Sequence, residues 1–232
     1  MRVGLSCVAA FVVLIAMWTG VGAQSTAQPP AEAAVPVSGA NPPAPVPVTP
    51  PLPIVDPATE LKGTALIEAM RGGGFVLYLR HTQTGLVTEK CGTSNLSEKG
   101  EQDARNIGAA LHELKIPFGA VWSSEPCRCV DTARAVGVGK VEVTEDLNPV
   151  APRAGFDVGA ARTRRLIAVP TRGTNTLLVS HLHGSRNKAE WVHLEMGEVI
   201  VYRPDGGAVP VAVARIPLTG WAALKQAMGA GG

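Results

Sequence analysis

Apolar and amphipathic stretches alternate along the chain from about residue 59 onwards. Two continuous apolar runs, residues 75–79 and 176–179, are typical of strands buried on both faces of a parallel sheet. Ser97 is placed to cap a helix whose apolar positions recur at helical spacing. This alternation predicts an α/β fold with a mainly parallel central sheet flanked by helices.

The other predicted elements are shorter and are marked by their turn residues. Three successive glycines, residues 72–74, end a helix, and the sequence Asp205-Gly206-Gly207 indicates a hairpin turn. In chain order these elements are a helix over 59–70, a strand over 120–122, a helix over 130–136, hairpin strands over 198–202 and 209–216, and a helix over 221–228.

The N-terminal segment has the pattern of an export signal. An arginine at position 2 precedes an apolar run over residues 8–18, and Val21-Gly22-Ala23 resembles a signal-peptidase site. We therefore expect residues 1–23 to be a signal peptide that directs the protein to the periplasm or the exterior of a bacterial cell. The alternative is an uncleaved anchor, and only then would the chain contact a membrane.

Composition separates a linker from the folded part. Eleven of the 19 prolines lie between residues 29 and 57, where charged residues are almost absent. Proline removes backbone donors and fixes φ, so residues 24–57 are expected to be a disordered linker, either a simple tail or a stalk. The folded domain is then 58–232. The chain has 21 basic and 19 acidic residues, and this near balance argues against a nucleic-acid partner.

Three cysteines follow the predicted signal segment: Cys91, Cys127 and Cys129. An exported protein meets an oxidising compartment, which permits one disulfide and leaves one thiol. The pairing is either Cys91 with Cys127 or Cys91 with Cys129, and the alternative is that no bridge forms. The Cys127-x-Cys129 spacing has no partner motif of metal ligands, so we expect no zinc site.

Polar side chains follow the predicted strands at the points where these strands end. Arg80 and His81 follow the first strand, His181 follows the 176–179 strand, and Arg128 comes shortly after the short strand at 120–122. The carboxyl ends of parallel strands form the usual ligand site of such sheets. Guanidinium groups match phosphate oxygens, and a neutral imidazole can attack phosphorus. The sequence therefore predicts an anion site with a nucleophilic histidine.

Four segments resemble motifs of the histidine phosphatase superfamily, whose fold is phosphoglycerate mutase-like. Residues 78–84 resemble its Arg-His-Gly-x-Thr signature, and residues 177–181 resemble its second histidine strand. Residues 95–105 are similar to its Leu-Ser-x-x-Gly helix start, and residues 121–133 to its Ser-Ser-Pro-x-x-Arg motif in loosened form. The order and spacing agree over most of 59–221.

The resemblance implies a three-layer α/β fold and assigns roles to individual residues. His81 would be the nucleophile that becomes phosphohistidine. Arg80, Arg128, His181 and Thr84 would surround the phosphoryl oxygens and stabilise their developing charge. The resemblance implies no metal and no cofactor, because guanidinium and imidazolium groups supply the positive charge.

Two departures from the family pattern bear on activity. Thr82 stands where the family usually has glycine, and we expect its branched side chain to narrow the pocket. Pro149 stands where one branch has its acidic proton donor, and Leu182 where another branch has it. The replacement candidates for this general acid are Glu145, Asp146 and His183, with Glu195 and Glu198 as more remote ones.

Signal and motifs together predict an extracytoplasmic phosphomonoester hydrolase. Its partner would be a small phosphorylated substrate, and its location suggests a sugar phosphate of the bacterial envelope, such as a lipopolysaccharide heptose phosphate. Fold analogy alone does not determine the substrate. The alternative, suggested by Thr82 and by the uncertain acid, is a degenerate module that binds phosphorylated ligands without turnover.

Overall fold

The computed structural model describes residues 55–87, 91–92, 94–149, 158–182 and 193–229. All of them belong to the unit Val46–Gly232. The strands are β1 (Val76–Arg80), β2 (Thr84–Val87), β3 (Ser94–Leu96), β4 (Phe118–Ser123), β5 (Val141–Val143), β6 (Asn175–Ser180), β7 (Val199–Arg203) and β8 (Val211–Ile216). The helices are α1 (Gly63–Gly72), α2 (Glu98–Glu113), α3 (Cys127–Val136), α4 (Val158–Ile167) and α5 (Gly220–Gly229), with a 3-10 turn at Glu145–Leu147.

Six strands form the central sheet in the order β5-β4-β6-β1-β7-β8, and β2 and β3 form a separate hairpin. The four strands from β5 to β1 pair in parallel, whereas β7 and β8 are antiparallel. The predicted fold class, α/β with a mainly parallel sheet, is confirmed. The antiparallel strands are the predicted hairpin around Asp205-Gly206-Gly207.

Apolar residues cover both faces of the sheet, which makes three layers. Leu77 and Leu79 of β1 belong to a core shared with α1, α2, α3 and α5. Val76 and Tyr78 belong to a second core, which includes Leu166 of α4. All four side chains are buried because alternate residues of a strand point to opposite faces, as expected for a continuous apolar strand.

Helix boundaries differ from the sequence-based expectations in two places. The first helix begins at Gly63, after the turn at residues 57–59, whereas apolar spacing predicted a start near residue 59. Helix α3 begins at Cys127, three residues before the predicted start. Ser97 caps α2 as predicted, since its Oγ accepts a hydrogen bond from the Gly100 amide at 3.0 Å. Helix α4 and strands β2, β3 and β5 were not predicted.

The predicted signal peptide, residues 1–23, lies outside the described residues, as does the predicted linker except for its last three positions. Both assignments stay predictions. None of the helices within the described ranges has the length and apolar character needed to cross a membrane.

Candidate active site

The sheet brings the two predicted site histidines together. Strands β1 and β6 are parallel neighbours, and Arg80 is in register with Ser180. His81 and His181 are the next residues, so they emerge side by side at the carboxyl edge. Their ring centroids lie 5.5 Å apart at an interplanar angle of 68°.

A cavity of about 370 Å³ opens at this edge. It is lined by Arg80, His81, Arg128, Pro149, Arg162, His181 and Leu182. Four of these side chains are the ones predicted to surround a phosphoryl group. The sequence analysis missed Arg162, which is 4% exposed and whose Nη2 donates to the Asn148 carbonyl at 2.9 Å. Arginines 162, 164 and 165 are close together in the sequence. Their pattern does not indicate that Arg162 is the one that faces the cavity.

His81 is held in one tautomer by the main chain. Its Nδ1 lies 2.9 Å from the carbonyl oxygen of Thr82. A carbonyl oxygen only accepts, so Nδ1 carries the hydrogen and Nε2 keeps its lone pair. Burial, aided by the positive charges of Arg128 and Arg80, lowers the pKa of His81 to about 4. His81 is therefore a neutral imidazole with Nε2 available as a nucleophile.

His181 is held by side chains. Its Nε2 lies 2.9 Å from the Ser124 hydroxyl, and its Nδ1 lies 3.2 Å from Nη2 of Arg128. The buried thiol of Cys129 lies 3.5 Å from Nε2. Burial and the nearby Arg128 lower the pKa of His181 to about 3, with smaller effects from His81, Arg162 and Arg80. This ring is also neutral in the empty cavity.

Arg80 is anchored by the loop before β7. Its Nη1 donates to the Leu194 carbonyl at 2.6 Å, and burial lowers its pKa although Glu195 and Glu198 act in the opposite direction. Gly197, at φ +79°, donates its amide to the Arg80 and His81 carbonyls at 3.2 Å each. The left-handed backbone at Gly197 therefore secures this loop beside the nucleophile.

Arg128 occupies the first turn of α3, next to a disulfide. The structure pairs Cys91 with Cys127, the residue before Arg128, and leaves Cys129 as a buried free thiol. The other pairing left open by the sequence, Cys91 with Cys129, is not the one formed. Cys129 instead donates to the Ser180 carbonyl at 3.4 Å. The disulfide links the segment between β2 and β3 to the helix that carries Arg128.

Thr82 does not narrow the cavity, contrary to the expectation from its branched side chain. It is fully buried and is not a lining residue. Its amide and its hydroxyl both lie 3.2 Å from Oγ1 of Thr132, which donates in turn to the Arg128 carbonyl at 2.7 Å. The side chain turns towards α3 because this hydroxyl offers a buried partner. Thr82 thus connects the nucleophile loop to the helix of Arg128.

Two residues with predicted site roles lie away from the cavity lining. Thr84, expected to bind phosphate, begins β2 and pairs with Leu96 in the separate hairpin. Glu145, a candidate for the general acid, begins the 3-10 turn and does not line the cavity. The position of Thr84 follows from local chain direction, since β2 begins only three residues after His81 and belongs to the separate hairpin.

The other acid candidates have separate structural surroundings. Asp146 forms an ion pair with Arg165 at 2.6 Å, and Glu198 forms one with Arg215. Glu195 has a 77% exposed side chain, and its amide donates to the Glu198 carboxylate at 2.7 Å. His183 lies outside the described residues, so its role stays a prediction.

Pro149 lines the cavity at the position where a family branch has its acid, and none of the described lining residues is a carboxylate. Within the described ranges, no group of three or more His, Cys, Asp or Glu side chains is arranged to hold a metal ion.

Residues 76–150 match the family model of the histidine phosphatase superfamily, branch 1. This segment contains His81, both cavity arginines of the motifs and the Ser-Ser sequence at 123–124. Over these residues the chain is similar to the histidine phosphatase superfamily. The three layers described above agree with the α/β fold that the motif resemblance implies.

Several solved structures are similar to this chain. A protein histidine phosphatase SixA complexed with tungstate is 19% identical with a TM-score of 0.48, and the match covers 62% of this chain and 97% of that one. An alpha-ribazole phosphatase from Shigella flexneri is 18% identical with a TM-score of 0.44, covering 60% and 94%. A phosphoserine phosphatase from Entamoeba histolytica is 16% identical with a TM-score of 0.43, covering 61% and 95%. No curated protein sequence matches the chain.

Proposed function

We propose that this histidine phosphatase hydrolyses phosphomonoesters outside the cytoplasm through a phosphohistidine on His81. The observation that carries the proposal is the hydrogen bond from His81 Nδ1 to the Thr82 carbonyl at 2.9 Å. It leaves the Nε2 lone pair of a neutral imidazole in a cavity that also contains Arg80, Arg128 and Arg162. A nucleophile beside three guanidinium groups suits the attack on an anionic phosphoryl group.

The reaction follows from these groups. Nε2 of His81 forms a bond to phosphorus while the bond from phosphorus to the leaving oxygen breaks, and that oxygen takes the electron pair and a proton. Arg80 and Arg128 stabilise the charge on the phosphoryl oxygens. Water then attacks the phosphohistidine and returns a proton to the group that protonated the leaving oxygen, the nitrogen–phosphorus bond breaks, and the lone pair returns to Nε2. Phosphate leaves and the neutral histidine is restored.

The leaving oxygen requires a proton donor that is not one of the described lining residues. His183 follows Leu182 of the lining by one position, and histidine is a frequent general acid in enzymes, which supports it as a candidate. Asp146 and Glu198 are each occupied by an arginine, and Glu195 is mostly exposed. If His183 is the donor, hydrolysis should be fastest in the pH range in which its imidazole is protonated.

The substrate class that fits the proposal is a small phosphorylated molecule. A cavity of about 370 Å³ accommodates a phosphoryl group and a compact organic portion such as a sugar. The export signal in the sequence suggests a sugar phosphate of the envelope. Hydrolysis rates measured with purified envelope sugar phosphates and with cytoplasmic ones would show which of the two groups is the better substrate.

A second candidate function is binding of phosphorylated ligands without turnover. It is favoured by Pro149, which occupies the cavity position where a proton donor would otherwise stand. The phosphate-binding groups are intact in both functions, so phosphate affinity alone does not distinguish them.

Hydrolysis of p-nitrophenyl phosphate by the full chain tests the two functions, from about pH 4 to 8. Activity that disappears in His81→Ala and persists in His112→Ala supports the phosphohistidine mechanism, since His112 is exposed and distant in sequence. Trapping of acid-labile phosphate on His81 would provide direct support. Absence of activity at every pH, with thermal stabilisation by phosphate, would instead support the binding module.

A further inference from the structure

Asn148 lies at the centre of a hydrogen-bonded group behind the cavity. It follows the 3-10 turn and precedes Pro149 of the lining. Its Oδ1 accepts from the Glu125 amide at 3.0 Å, and its Nδ2 donates to the Glu125 carboxylate. A main-chain N–H only donates and a carboxylate only accepts, so these contacts determine which end of the amide is the oxygen.

The same oxygen determines the direction of the next hydrogen bond. Oγ of Ser124 lies 2.9 Å from Oδ1 of Asn148 and 2.9 Å from Nε2 of His181. The single hydroxyl hydrogen of Ser124 goes to Oδ1, because a carbonyl oxygen cannot donate. The hydroxyl oxygen is then left to accept, and Nε2 of His181 carries the ring hydrogen.

The contact on the opposite side of the His181 ring agrees with this tautomer. Nη2 of Arg128 lies 3.2 Å from Nδ1, and a guanidinium group only donates. Nδ1 must therefore be the acceptor. Both Arg128 and His181 line the cavity, so the Nδ1 side of the ring lies beside a residue proposed to bind the phosphoryl group. The titratable and charged groups around the ring are Arg80, His81, Arg128, Cys129 and Arg162.

We infer that Asn148 is a positioning residue that acts through Ser124 to hold the hydrogen of neutral His181 on Nε2, so that the cavity binds a phosphoryl group together with one proton. The inference rests on the phosphoryl site of the proposed function. When Arg128 turns to bind the oxygens of a phosphoryl dianion, the lone pair of His181 Nδ1 is left facing acceptor atoms only, which repel it. A proton between Nδ1 and a phosphoryl oxygen turns this repulsion into a hydrogen bond.

The Asn148 side chain can be changed without removing its other contact. Its main-chain carbonyl accepts from Arg162, and this contact persists when the side chain is truncated. In Asn148→Ala the Ser124 hydroxyl is released and donates to Nε2 of His181, which moves the ring hydrogen to Nδ1 and breaks the 3.2 Å contact of Nδ1 with Arg128. In Asn148→Asp a carboxylate still accepts from Ser124, so the hydrogen stays on Nε2. Asn106→Ala, on the exposed face of α2, is the matched control.

Nitrogen-15 NMR of the unliganded full chain reads the tautomer directly, with the His181 signal assigned by its loss in His181→Gln. We expect the Nε2–H form in the unchanged chain, in Asn148→Asp and in Asn106→Ala, and the Nδ1–H form in Asn148→Ala. An Nδ1–H form in the unchanged chain, or no change in Asn148→Ala, would overturn the inference. This readout requires no catalysis, so it is separate from the test of the proposed function.

Calorimetry with inorganic phosphate measures the proton. At about pH 8.5 phosphate is mostly a dianion, and repeating the titration in buffers of different ionisation heat counts the protons taken up. We expect about one proton per phosphate in the unchanged chain, in Asn148→Asp and in Asn106→Ala, and about none in Asn148→Ala. Binding without proton uptake in the unchanged chain contradicts the inference but leaves the phosphatase proposal standing. Failure of phosphate to bind at all contradicts both.

Discussion

His81 and His181 follow neighbouring parallel strands and lie 5.5 Å apart, but they hold their hydrogens on opposite ring nitrogens. The carbonyl of Thr82 receives the hydrogen of His81 from Nδ1. The hydroxyl of Ser124 receives the hydrogen of His181 from Nε2. One histidine thus presents a lone pair on Nε2, and the other presents a lone pair on Nδ1 beside Arg128.

The difference shows two ways of preparing a histidine. His81 depends on the main chain of the next residue, which no substitution at that position removes except through backbone movement. His181 depends on the side chains of Ser124, just after β4, of Arg128 on α3 and of Asn148 after the 3-10 turn, and each of them can be substituted. The tautomer of His81 is therefore less sensitive to substitution of its neighbours than the tautomer of His181.

Removing the two imidazole rings one at a time should give the largest difference in kcat between the two histidines. His81→Ala should lower kcat by on the order of 10⁶-fold because the nucleophile is lost. His181→Ala should lower it by only about 10²- to 10³-fold, the size of one lost charge-stabilising contact. Single-turnover hydrolysis of p-nitrophenyl phosphate checks this, with His112→Ala as control. Equal losses would show that the two rings are not functionally distinct.

Loss of the disulfide should disturb the position of Arg128, and with it His181, more than the position of His81. Cys91 and Cys127 close a loop with a sequence separation of 36. Replacing both by alanine should lower the free energy of unfolding by about 4 kcal/mol on the chain-entropy model. Phosphate affinity should also fall, because Arg128 follows the bridge directly.

Urea unfolding and phosphate titration check the disulfide prediction, with reduction of the unchanged chain as a parallel sample. The His81 tautomer, read by nitrogen-15 NMR, should stay the same because its partner is a main-chain carbonyl. A change of the His81 tautomer would contradict the conclusion that the two histidines are held by independent contacts.

Acid should destabilise the fold through both histidines. Their pKa values are about 4 and about 3 in the folded chain, against about 6.5 when unfolded. As pH falls below about 6.5, the unfolded chain binds protons that the folded chain does not. Stability should thus fall by about 1.4 kcal/mol per pH unit for each histidine, down to the folded pKa.

Urea midpoints at several pH values between about 6.5 and 4 check the acid prediction. His81→Asn and His181→Asn should each remove about half of the slope, and a slope unchanged in either variant would contradict the assignment of neutral rings. Bound phosphate should reduce the slope, since a phosphoryl anion favours the protonated rings.

Thr82→Val should have the smallest effect. It removes the hydroxyl that contacts Thr132 but keeps the carbonyl that holds His81. The free energy of unfolding should fall by about 1 kcal/mol, and kcat should stay within about threefold. Thermal unfolding and steady-state kinetics check both values, with Thr82→Ser as the variant that keeps the hydroxyl. A large loss of kcat in a folded Thr82→Val chain would show that the side chain also affects the nucleophile.

Strong local patterns allowed most of the sheet to be predicted. The runs at 75–79 and 176–179 became β1 and β6 with one-residue shifts, because a doubly buried strand is apolar throughout. Helix α4 escaped prediction because its arginines suggest a solvent-facing segment. Arg162 is buried there only because the cavity and the Asn148 carbonyl lie opposite it.

The role of Thr82 could not be predicted because its partner, Thr132, lies fifty residues away on α3. The sequence shows an unusual residue beside the nucleophile, but it does not indicate in which direction the Thr82 side chain points. Similarly, Thr84 matched a motif position, but the chain leaves the carboxyl edge before reaching it.

The sequence by itself determined that Arg80, His81 and His181 stand at the ends of two buried strands, since periodicity and strand ends are local properties of the chain. Its motifs also indicated the histidine phosphatase superfamily, whose family model matches residues 76–150. The tertiary structure alone decided which ring nitrogen carries each hydrogen. That depends on acceptors which only folding brings within about 3 Å: the carbonyl of Thr82 for one ring, and the Asn148–Ser124 pair for the other.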